Sequence, residues 1–182
     1  MLVDTTKSIR DENIPILKDA LRNLVNQFDV SPTGAHVSLQ TFNKRSTLHN
    51  KFNDGLYHSN KAIDDLIMNS ITKLDQPTRL DIAIKTAKEL MFTKQSGQRP
   101  GVRSAMVLYT DGRSHPATED FYLEIVALKA SSLLRGFQVK YQKRRIVFEH
   151  ISKHREESCS YHAWQSIFDE LRGVWKCGQT LS

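Results

Sequence analysis

The chain has 182 residues, 39% of them hydrophobic and 25% charged, with a formal net charge of +6. That composition excludes a disordered polymer and suits one domain with a sizeable core. No apolar run approaches the roughly 20 residues of a membrane span, no secretory signal pattern is legible, and the basic balance admits an acidic partner.

In chain order, MLVD reads as a short buried strand that breaks off at Asp4. A helix is predicted from Glu12 to Phe28, because Ile14, Leu17, Leu21, Leu24, Val25 and Phe28 share one face. SPTG is a turn, and AHVSLQTF, residues 35–42, alternates as a strand. STLHNKF supplies a short edge strand, antiparallel to its neighbour. Ser59 caps a helix that runs through Met68. Pro77 breaks the chain before a helix from Leu80 to Phe92, and KQSGQRPG is a loop.

AMVLY is the strongest strand signal and runs into Thr110-Asp111-Gly112. A helix follows from Glu119 to Leu134, and GFQV opens another strand that Lys140, Lys143, Arg144 and Arg145 then interrupt, with IVF as a displaced strand beyond. HAWQSIFDELRGVWKC reads as a strand and an amphipathic helix carrying Ile167, Leu171, Val174 and Trp175. Alternating strands and helices argue an α/β, doubly wound, mostly parallel sheet with one antiparallel edge strand and helices on both faces. The domain is expected over residues 1–177, with an atypical basic segment at 140–158 and a short tail at 178–182.

Ligands of such sheets bind beyond the carboxyl ends of the strands. Asp4 and Asp111 each close an apolar strand at that edge. Asp4, Thr6 and Ser8 form D-x-T-x-S, and alternate residues of an extended segment aim at one point. Carboxylate and hydroxyl oxygens are hard donors, suited to Mg2+, Mn2+ or Ca2+. Thr78, at a helix entry, adds another oxygen. Such a site holds a divalent cation loosely and leaves a coordination position for an outside carboxylate. The bland alternative is an N-cap with local hydroxyl bonds and an ordinary turn.

Lys140, Lys143, Arg144, Arg145, Lys153 and Arg155 face one acid, Glu149, in sequence. This is either a solvated face or a site for a polyanion, glycosaminoglycan or nucleic acid, beside a degenerate metal site. Cys159 and Cys177 form no C-x-x-C, which argues against zinc and leaves pairing open. No nucleotide-binding glycine motif and no nucleophile elbow is present, and no histidine stands beside an obvious nucleophile, so an enzyme is not expected.

Asp4, Thr6 and Ser8, with Thr78 in PTRLDIAI and Asp111 in LYTDGRS, resemble in order the metal-ion-dependent adhesion site of the von Willebrand factor type A family, whose fold is that of the inserted domain of integrins. FDVSPTGAHVSLQTFN resembles the family's second strand and the linker before it. The resemblance covers residues 1–139 and resumes at 161–177. It implies a secreted, extracellular adhesion or matrix-binding module: a divalent metal held mainly by uncharged ligands, completed by an acidic residue of a matrix or cell-surface protein. It also implies coupling to movement of the last helix, and heparin-like glycan binding as in some members.

Arg113, Ser114, His115 and Arg79 are expected at the rim, with Lys44 and Arg45 beside them. Two departures bear on the site. Thr6 replaces the usual serine, and Lys7 stands where a small residue is common; its cation weakens the metal if it points inward and attracts an acidic ligand if it points outward. The residues that usually precede the first strand are missing, which points to a truncated amino terminus.

Overall fold

The structure is a computed structural model that describes residues 1–102, 104–111, 115–132, 135–142 and 145–150. Its strands are β1 (Leu2–Asp4), β2 (Gln40–Phe42), β3 (Ser46–Leu48), β4 (Ala105–Tyr109), β5 (Arg135–Gln142) and β6 (Arg145–His150). They hydrogen-bond as one sheet in the order β3-β2-β1-β4-β5-β6. β1 runs parallel to both β2 and β4, and β4 runs parallel to β5.

β3 is antiparallel to β2, as its sequence suggested. β6 is antiparallel to β5, so the sheet has a second antiparallel edge where one was expected. The reason is covalent. Only residues 143 and 144 separate the two strands, and so short a connection joins antiparallel neighbours alone. β5 also continues through Lys140 to Gln142, where the basic residues were expected to interrupt it. Its register sets Val139 and Tyr141 opposite Phe148 and Ile146, so apolar positions of the two strands coincide there, while Phe137 pairs with His150.

Helices cover both faces. α1 (Asn13–Val25) and α2 (Asn60–Ser70) supply Leu17, Leu21, Leu24, Ile63 and Ile67 to one core, against Val3, Val107 and Tyr109. α3 (Leu80–Thr86) and α4 (Tyr122–Ser132) supply Ala83, Ile84 and Leu128 to the other, against Leu2, Phe42, Met106 and Leu108. Successive strand residues serve opposite cores because the pleat has period two. Each fully buried leucine contributes about 1.5–3 kcal/mol.

Helix ends differ from the predicted ones by up to several residues. α1 starts and stops inside Glu12–Phe28. α2 is capped as expected, with Ser59 Oγ accepting from Ala62 N at 3.2 Å. α3 gives way to a π-turn over Ala87–Met91, closed by Phe92 N donating to Ala87 O at 2.9 Å.

The predicted strand at 35–42 is realised only over Gln40–Phe42. Before it, Asn50 takes the place of a neighbouring strand. Its Oδ1 accepts from Leu39 N at 2.8 Å, its Nδ2 donates to Val37 O at 2.8 Å, and its carbonyl accepts from Ser38 Oγ at 2.7 Å. Near this amino-terminal end of β2, His36 stacks on His58 with ring centroids 4.2 Å apart and planes 19° apart. The last predicted strand and helix, Cys159, Cys177 and the tail lie outside the described residues.

Candidate metal centre

Asp4 ends β1 and is fully buried. It is there because β1 lies between β2 and β4, under helices on both faces. Its Oδ1 accepts from Thr6 N at 3.0 Å, which turns the chain so that Thr6 and Ser8 follow over the sheet edge. Its Oδ2 accepts from Thr110 Oγ1 at 2.9 Å. Burial pushes the Asp4 carboxyl up to about 6; the bonds from Thr6 and Thr110 oppose that rise, and the charge of Asp111 adds to it.

Three hydroxyls form a chain beside it. Thr78 Oγ1 donates to Thr6 Oγ1 at 2.9 Å, and Thr6 Oγ1 lies 2.9 Å from Ser8 Oγ. Thr6 and Thr78 are buried and Ser8 is half-buried. The structure therefore brings together Asp4, Thr6, Ser8 and Thr78 from segments distant in sequence. Asp111 is half-buried and close enough for its charge to act on Asp4.

The loops that carry these groups are tied through their backbones. Thr5 N donates to Phe42 O at 2.9 Å, Leu74 N to Thr5 O at 2.8 Å and Lys7 N to Gln76 O at 3.3 Å. Arg79 N donates to Asn43 O at 3.0 Å, and His115 N to Thr78 O at 2.9 Å. Lys7 is exposed, so its cation does not enter the buried hydroxyl cluster.

Of the expected rim residues, His115 is exposed and takes its place through the bond to Thr78. Arg79 sits at the helix entry, but its guanidinium forks onto Asp81: Nε lies 2.9 Å from Oδ1 and Nη2 2.6 Å from Oδ2. That fork holds the Asp81 carboxyl below the usual range. Arg113 and Ser114 lie outside the described residues. So do Lys143 and Arg144 of the basic segment, while Lys140 and Arg145 fall in β5 and β6. Sequence reasoning missed Thr110 and Asn43. Thr110 was legible as the residue before Asp111 in the turn; Asn43, whose Nδ2 donates to Thr5 Oγ1 at 3.4 Å, gave no signal.

The donor set fits a hard divalent cation. Thr6, Ser8 and Thr78 would supply neutral oxygens, and Asp4 and Asp111 the negative charge. The charge of Asp111 adds to the rise at Asp4, and a divalent cation held here would offset that repulsion. Among the described residues no group of three or more acids, histidines or cysteines is placed to hold a metal ion. Among the described residues no helix is long and apolar enough to cross a membrane.

A profile of the von Willebrand factor type A domain matches residues 1–143. Matrilin-1 of Mus musculus is 30% identical over 180 residues, which cover 94% of this chain and 34% of the relative. The von Willebrand factor A domain-containing protein 1 of Bos taurus is 29% identical over 113 residues, 62% of this chain and 27% of that protein. The chain thus spans about a third of the length of the curated matrilin it matches, 34% for the mouse protein. Among solved structures, proximal thread matrix protein 1 of the mussel byssus is similar with a TM-score of 0.67 at 22% identity, over 75% of this chain and 36% of that one. The same protein with a zinc-occupied MIDAS motif gives a TM-score of 0.66 at 23% identity, over 75% and 36%. These structural likenesses bear on the fold.

Proposed function

Because the chain belongs to the von Willebrand factor type A family, we propose that it is a protein-binding module whose ligand is held through a divalent cation at Asp4, Thr6, Ser8, Thr78 and Asp111. The observation that carries the reading is the Thr78–Thr6–Ser8 hydroxyl chain beside a buried carboxylate. The bound cation supplies Lewis acidity toward a partner's Glu or Asp. The chain's own residues orient the donors: Thr110 fixes Asp4, and the backbone bonds to Phe42 and Gln76 fix the loop carrying Thr6 and Ser8. No covalent step is needed.

The partner is an extracellular matrix or cell-surface protein, and the module acts outside the cell. The resemblance to a matrilin supports this. Mg2+ and Mn2+ are the expected ions; zinc, present in the MIDAS motif of the byssal protein, is the comparison.

The test is thermal unfolding with Mg2+, Mn2+ or Zn2+ against an EDTA control, for the parent chain and for Asp111→Ala, followed by a binding screen of matrix proteins. A metal-dependent rise in the parent alone, with binding that EDTA abolishes, is the expected result. An equal response in both proteins, or none in either, refutes the site.

A further inference from the structure

Three exposed cations border the candidate metal centre, two of them on one side of it. Lys7 lies in the loop after β1, and Lys44 and Arg45 form the turn between β2 and β3. That loop and turn are neighbours through Thr5 N to Phe42 O at 2.9 Å and Asn43 Nδ2 to Thr5 Oγ1 at 3.4 Å. Among the described residues none of the three cations is in an ion pair. The other cations on these loops are engaged: Arg10 with Glu12 at 3.5 Å, Lys73 with Asp11 at 2.9 Å and Arg79 with Asp81 at 2.6 Å.

Among the described residues, the other side has the opposite sign. The sheet order places the β2–β3 turn on one side of β1 and the loop after β4 on the other. That loop carries Glu119 and Asp120, both exposed. Asp81, which the Glu119 backbone N–H also reaches, has already absorbed the charge of Arg79.

A divalent cation between two carboxylates leaves a formally neutral site, so a partner carboxylate brings excess negative charge. The unpaired cations are where that charge is balanced. We infer that the partner's docking segment is acidic in one direction: the carboxylate on the metal is accompanied by at least one more acid toward Lys44 and Arg45, and by none toward Glu119 and Asp120. This rests on the metal-bridged reading above and names the chemistry of its partner. Each exposed pair contributes about two- to five-fold in affinity, and the combined field also speeds encounter.

The experiment is a display selection on the immobilised full chain, using random short peptides with a fixed central Glu, in Mn2+ and in EDTA. It is repeated with Lys44→Glu/Arg45→Glu and with Glu119→Lys/Asp120→Lys. Manganese calorimetry checks that both variants keep the parent's metal affinity. The expected result is Mn2+-dependent clones enriched about two- to five-fold per acid on one flank. The first variant removes that bias and the second extends acids to both flanks. Mn2+-dependent clones without a flank bias, or with a bias that neither reversal changes, overturn this inference and leave the metal bridge standing. Absence of Mn2+-dependent clones overturns the metal bridge and this inference with it.

Discussion

The hydroxyl of Thr78 donates to that of Thr6 at 2.9 Å, across a sequence separation of 72 residues. The bond closes the candidate site, because it joins the loop before α3 to the loop after β1. Both oxygens are buried, so neither has water as a ready substitute.

Thr78→Ala is therefore expected to lose about 1 kcal/mol of metal-free stability, a fall of about 2–4 °C at this chain length. It also loses most of the metal-induced rise. Thr78→Ser keeps the hydroxyl and is expected to keep that rise. Thermal scans with and without Mn2+ read both; an Ala variant that responds to metal like the parent removes Thr78 from the donor set.

Protons and metal compete at Asp4. With its carboxyl pushed up to about 6, the ionised form that a cation needs is the minor one below that pH. Metal affinity is expected to fall about ten-fold per pH unit below it, with a proton released on binding there. Calorimetry with Mn2+ at pH 7 and pH 5 in buffers of different ionisation heat reads both quantities. An affinity unchanged between those conditions contradicts the assignment.

At the amino-terminal end of β2 the sign is reversed in origin. Burial holds His36 below its ordinary value of 6.5, with the charge of Arg99 and the stacked His58 adding to the effect. Its folded form binds fewer protons than the unfolded chain, so its stability contribution is complete above 6.5 and is lost as pH falls through the lower folded value. His36→Gln is expected to flatten this acid limb of the urea midpoint measured against pH. A limb of unchanged depth in the variant assigns it to other groups.

Gly97 has φ +83°, and a Cβ there would lie 2.5 Å from Asn53 N and 2.9 Å from Asn53 Cα. Backbone atoms cannot swing aside. Gly97→Ala is expected to cost about 1–3 kcal/mol and to leave metal affinity unaltered. Chemical denaturation read beside manganese calorimetry separates the two, and parent-like stability contradicts the close packing.

The legible parts of this protein are those decided locally. AMVLY, the Ser59 cap and the acids that end β1 and follow β4 announce themselves, because burial, capping and strand ends each leave a short pattern. The parts that stayed hidden depend on partners far away or on charge placement. Asn50 shortens β2 through three side-chain and carbonyl bonds that no propensity encodes. Arg79 reads as a rim cation until its fork onto Asp81 is seen. Thr110 spends its hydroxyl on an acid 106 positions earlier. The basic residues after GFQV suggest the end of a strand, yet the short connection at 143–144 makes a second edge of them.

The ring of backbone hydrogen bonds around the site, from Thr5 to Phe42, Lys7 to Gln76, Arg79 to Asn43 and His115 to Thr78, uses no side chain of any metal donor. Scaffold and ion preference are consequently separate inheritances. A lineage can exchange Thr6 for serine, or an engineer can install a softer donor at Ser8, and the socket keeps its shape while its taste in metals drifts.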